Sequence, residues 1–149
     1  MTDLILASLH HLLVFTVFAI FAVEMTTIRR GLDTSGVLRL AKMDGAYGGV
    51  SVAVLAIGFA RAVYGLKGWE YYSSYWVFWA KVGAFLVVGA LTIMPTIRIQ
   101  RWRKAASADP AYIVPDGEID AVRPWLRRQG AVFILIPILA AMMARGIGY

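Results

Sequence analysis

Apolar residues along this chain gather into four long runs, parted by stretches that carry most of the charge. The runs extend over about 4–28, 45–66, 75–98 and 129–149. Crossing the hydrocarbon core of a bilayer takes about 20 residues of helix at ~1.5 Å of rise each, so every run is long enough to span. A soluble domain would break its apolar positions into shorter amphipathic segments wrapped around one core. The pattern therefore predicts an all-α fold, an integral membrane four-helix bundle forming a single transmembrane domain over 1–149, with connections at about 29–44 and 99–128.

The first run opens Met1-Thr2-Asp3 and leads into Arg29-Arg30, without the basic start and small-residue cleavage site of a signal peptide, which predicts a retained helix. The second run is rich in small residues (Gly48, Gly49, Ser51, Ala53, Gly58), which let backbones approach closely in lipid and favour a central place. Pro137 lies near the middle of the fourth run and predicts a bend there. Asp109-Pro110 and Pro115-Asp116-Gly117 divide the long connection, and a short surface helix is expected from Glu118 to Arg128.

Charge orients the bundle. The connection after the first helix holds four basic residues (Arg29, Arg30, Arg39, Lys42), the one after the third holds seven, and the one between the second and third holds only Lys67. By the positive-inside bias the two basic connections are cytoplasmic and both termini lie outside, in the periplasm if the membrane is a bacterial inner membrane. Trp69, Tyr71, Tyr72, Tyr75, Trp76 and Trp79 are suited to the opposite headgroup level. Of the 149 residues 60% are hydrophobic and 16% charged, so the net charge of +6 reads as loops facing anionic lipid rather than as a nucleic-acid surface. The absence of cysteine excludes disulfides, thiolate metal sites, iron–sulfur clusters and covalently attached haem.

Ionisable groups inside a span are costly and usually face the bundle interior, which makes them the candidates for function. His10, His11, Arg61, Lys81 and Arg145 each fall roughly 5 to 11 Å from the outer end of their helices and so share one layer. Residues three and four apart line one stripe of a helix. On that spacing His10, Val14, Val17, Phe21 and Glu24 align on the first helix, and Asp44, Tyr47, Ser51, Val54, Gly58 and Arg61 on the second. Lys81, Phe85, Val88, Thr92 and Pro95 align on the third, and Ala131, Ile134, Ile138, Ala141 and Arg145 on the fourth. Converging stripes would give a cationic pocket at the outer end and a polar cluster of Glu24, Asp44 and Arg98 at the inner end.

A histidine with three cations and apolar walls suits a flat apolar ligand carrying carboxylates, and haem b has that form. His10 would be the axial ligand, with Met142 or Met143 of the fourth helix or a second protomer opposite, while Arg61, Lys81 and Arg145 take propionates. His11 points about 100° away around the helix and cannot join His10 on one metal from the same side. The bland readings stand beside this one. Arg61 and Arg145 can snorkel to the interface, a histidine can bond a neighbouring helix, the methionines can simply pack, and Glu24 and Asp44 can lock the inner end through Arg98.

Leu9-His10-His11-Leu12-Leu13-Val14-Phe15, the Asp44-Gly45-Ala46-Tyr47-Gly48 entering the second helix, and the stretch from Lys81 to Pro95-Thr96 resemble a family of bacterial four-helix membrane proteins that carries no assigned function. His10 together with Trp76, Trp79 and Lys81 is similar to the HemJ-type protoporphyrinogen oxidases, small haem b membrane proteins. That likeness implies a haem-ligand role for His10 and an essential role for Lys81, with a tetrapyrrole substrate and a quinone-like electron acceptor. A looser likeness to the copper-resistance membrane domain implies copper ligation by His10, His11 and methionines. The alternative class is a non-enzymatic accessory subunit or small-solute carrier, and apolar faces in every direction leave room for a homodimer or larger complex.

Overall fold

The computed structural model describes residues 1–148. Five helices follow one another: α1 (Thr2–Thr27), α2 (Thr34–Tyr64), α3 (Gly68–Ser74), α4 (Trp76–Ala108) and α5 (Asp116–Ala144). All but α3 are long and apolar enough to cross a membrane. α1 packs on α2, α2 on α4, and α4 on α5. Phe133 of α5 closes the ring against α1, with its ring centroid 4.1 Å from that of Phe18 and 5.4 Å from that of Phe21. Leu4, Leu12, Phe15, Val52, Leu86, Ile93 and Ile134 face outward, as side chains in contact with lipid do.

The connections expected over 29–44 and 99–128 are mostly helix. At ~1.5 Å per residue the four long helices measure about 39 to 50 Å, against about 30 Å of hydrocarbon. The excess of α2, α4 and α5 gathers at the end that bears the basic residues, hereafter the basic end. The sequence explains the extension: Val37, Leu40 and Ala41 of α2, Ile99, Trp102 and Ala106 of α4, and Ile119, Val122 and Leu126 of α5 recur every three or four residues and are all buried. With Ile28, Leu32 and Val114 they continue the apolar core of the spans beyond the membrane at this end. The helix expected at Glu118 to Arg128 is the beginning of α5, which continues without a break through Pro124 and Pro137.

Only 28–33 and 109–115 remain as connections at this end, and they are tied to each other. The Val114 amide donates to the Leu32 carbonyl at 3.0 Å, and Thr34 Oγ1 donates to the carbonyls of Asp109 and Tyr112. Arg30 Nη2 meets Asp120 Oδ2 at 2.7 Å, and the acid holds the guanidinium's pKa above its ordinary value. Gly31, at φ +75°, makes the left-handed turn out of α1 that glycine adopts without strain. Asp33 caps α2 by accepting from the Gly36 amide at 2.8 Å.

That amide, aided by the Ser35 hydroxyl, holds the Asp33 carboxyl below the usual aspartate range. A depressed carboxyl stabilises the fold fully above its unfolded value and loses that contribution as pH falls through the folded one. Asp33→Ala is therefore expected to lower the melting temperature at neutral pH, with the difference from wild type vanishing in acid. Melting curves of both proteins across pH check this; a gap that persists at low pH would refute it.

At the opposite end, where both termini lie, Trp69 of α3 packs on Phe59, Phe78 and Trp79. Tyr75 donates its hydroxyl to the Ile147 carbonyl at 2.6 Å and so fastens the chain beyond α5.

Candidate functional site

Near the terminal end, His10 of α1 lies directly over Gly58 of α2. A Cβ built on Gly58 would stand 3.0 Å from His10 Cε1, so the absence of a side chain lets the imidazole lie against the α2 backbone. Nδ1 of His10 is buried without a hydrogen bond of good geometry, although the imidazole lies within reach of the Val54 backbone. One turn beyond Gly58, Arg61 has its Nε buried and unpartnered. Lys81 of α4 is partly buried, and the charges of Lys81 and Arg61 both act on His10. Neither cation belongs to any ion pair formed among the described residues.

The other expected members of this layer lie elsewhere. His11 is exposed on the outer side of α1 and its Nδ1 meets the Ala7 carbonyl at 2.6 Å. Arg145 is exposed at the end of α5. Met142 and Met143 pack into an aromatic cluster with Ala62, Tyr75, Val77 and Phe78. The stripe expected on the fourth helix, from Ala131 to Arg145, is turned outward. Val122, Leu126, Gln129, Phe133 and Ile136 form its buried face instead. An α5 that is apolar all round gives hydrophobicity nothing to distinguish its faces. Gln129 was the legible marker, since its neighbours three and four residues away on either side, Trp125, Leu126, Val132 and Phe133, are all apolar.

Near the basic end a second polar layer crosses the bundle. Glu24 of α1 and Asp44 of α2 are only 3% and 5% exposed. Asp44 accepts from Thr96 Oγ1 at 2.7 Å and from Gln100 Nε2 at 3.4 Å. Gln129, 1% exposed, donates Nε2 to Tyr47 Oη at 3.0 Å and to Thr92 Oγ1 at 2.9 Å. Arg98, expected here as the lock on the acids, is bound to Glu118, with Nη1 2.7 Å from each carboxylate oxygen. Tyr47, Thr92, Thr96, Gln100 and Gln129 are the members that sequence reasoning did not single out. Tyr47 and Thr92 already stood on the expected inward stripes, whereas Gln129 fell at the edge of an expected connection.

The family described as Predicted membrane protein (DUF2214) matches residues 2–148. The chain belongs to this family. No curated protein and no solved structure matches it. In this DUF2214 protein, among the described residues, no three histidine, cysteine, aspartate or glutamate side chains converge on a point that could hold a metal ion. What the DUF2214 bundle does offer is one imidazole nitrogen without a good hydrogen bond beside two unneutralised cations, an arrangement that can ligate one metal-centred group while holding its carboxylates.

Proposed function

We propose that this protein binds haem b inside the membrane, near the end where its termini lie, and serves in redox or tetrapyrrole chemistry. The observation that carries this reading is the grouping of His10, Arg61 and Lys81: a buried nitrogen without a good hydrogen bond and two basic side chains without an acid. Burying such groups is costly unless something neutralises them, and a ligand with carboxylates does so while leaving the imidazole free to ligate. Haem, when bound, supplies one-electron chemistry through its iron. The chain's own part is to hold the group with His10 against the Gly58 backbone, to fix its carboxylates with Arg61 and Lys81, and to keep it in an apolar surround. His11, Arg145 and Met142 have no part in this version of the site. The strong basic bias of one end favours an orientation with that end in the cytoplasm and the haem near the outer face of a bacterial inner membrane.

The test is a reduced-minus-oxidised visible spectrum of detergent-purified protein. The wild type is expected to show a haem b spectrum and His10→Ala to lose it. Arg61→Gln and Lys81→Gln are expected to keep the spectrum but bind haem more weakly, since a hydrogen bond to a charged group is worth about 1.5–3 kcal/mol, or roughly tenfold to 150-fold in affinity. A colourless wild type that takes up no haem on reconstitution would overturn the reading.

A further inference from the structure

The acids at the basic end stand apart from the haem reading, and their surroundings are short of positive charge. Among the described residues, Asp44 is the only charged side chain whose field acts appreciably on Glu24, and it repels. α1 contributes Glu24 itself, and α2 contributes Asp44 and Tyr47. From α4 come Thr96 and Gln100, and also Arg98, whose Nη1 is taken by Glu118. α5 adds Gln129, with Arg127 on the rim of a groove beside Phe21 and Met25. Neither acid is in an ion pair among the described residues.

Two acceptors in this layer lack donors. Glu24 Oε1 is buried without a partner. Gln129 spends its amide hydrogens on Tyr47 and Thr92, which leaves its Oε1 buried and unpartnered too. Ser51 Oγ, one turn above Tyr47 on α2, is buried beside the Tyr47 hydroxyl. Buried oxygens lacking donors, set around two carboxylates lacking a cation, describe a place that is completed by a positive charge with oxygen ligands.

We propose that Glu24 and Asp44 bind one small cation, a proton or a sodium ion, with Gln129 and the neighbouring hydroxyls as neutral oxygen partners. Between α2 and α4 a half-open cavity of about 160 Å³, apolar apart from the Tyr47, Ser51 and Thr92 hydroxyls, adjoins the polar layer. With its hydroxyls it is roomy enough for several waters, each of which takes about 30 Å³ in the liquid. Asp44, Tyr47 and Ser51 rise along one stripe of α2, so polar atoms lead from Asp44 to this cavity. Farther on, buried Val54 and Val88 interrupt the line before His10 and Lys81.

The experiment uses the full-length protein in detergent at neutral pH, with sodium replaced by choline as the reference. If sodium is the occupant, the wild-type melting temperature rises steadily with each tenfold increase in sodium, and Glu24→Gln and Asp44→Asn lose that dependence. If a proton is the occupant, sodium has no effect. The wild type then shows the infrared carbonyl band of a buried protonated carboxyl, and the band is lost in Glu24→Gln or Asp44→Asn. A wild type with neither sodium dependence nor a protonated carboxyl overturns the proposal. Both readouts are taken first on the unaltered chain, so the proposal stands or falls there even where a variant fails to fold.

Discussion

Gly58→Leu is expected to abolish the haem spectrum and to destabilise the bundle. The His10 ring occupies the space a side chain would need: a Cβ on Gly58 would meet Cε1 at 3.0 Å and Nδ1 at 3.4 Å. Alanine asks the imidazole to yield by a few tenths of an ångström and is expected to shift the spectrum without removing it. Leucine adds branches where the ring lies, so the imidazole must leave or the helices must part, and overpacking of this kind costs about 1–3 kcal/mol. Gly49→Leu is the control, because Gly49 is exposed on the same helix with nothing near its Cβ direction. Spectra and melting curves of the three variants decide the matter. A Gly58→Leu protein that binds haem as the wild type does would show that the ligand lies elsewhere.

Three of the four inward faces were legible because each carries polar markers at both ends of a span. His10 and Glu24 mark α1, Asp44 and Arg61 mark α2, and Lys81 and Thr92 mark α4. Between those markers Val17, Val54 and Val88 are all buried. In lipid an apolar residue is content on either face, so only polar residues report which side is inside. On α5 the choice of Arg145 as the marker turned the helix the wrong way, since a cation at a helix end is free to reach water. The extensions at the basic end were hidden for a related reason. Their charges suggested loops, while the three-and-four spacing of Val37, Leu40 and Ala41, or of Ile99, Trp102 and Ala106, was helical all along. The pairing of Arg98 with Glu118 follows from that extension. α4 and α5 run on side by side past the membrane and bring those side chains together, with the acid 20 positions farther along the chain.

Trp102→Ala is expected to cost about 3–5 kcal/mol, the usual range for removing a large buried aromatic side chain. Trp102 is 2% exposed in the core beneath the spans, and its Nε1 donates to Glu118 Oε2 at 3.3 Å beside the Arg98 pair. The loss falls on the basic end rather than on the spans, which lipid keeps helical whatever lies below them. Thermal unfolding should therefore begin at lower temperature, with cleavage by a protease within 109–115 appearing first. Leu86→Ala on the lipid face, at a side chain that is already exposed, should stay within about 0.5 kcal/mol of wild type. Thr96 and Gln100 hold Asp44 from the same helix, six and two residues before the gap. Any cation dependence should accordingly weaken in Trp102→Ala, whereas the haem spectrum, which depends on His10 at the far end of α1, should not change. A variant that melts and resists protease like the wild type would mean that the core at the basic end contributes little to stability. If the haem spectrum fell together with the cation response, the two polar layers would have to be coupled through α2 and α4 rather than independent.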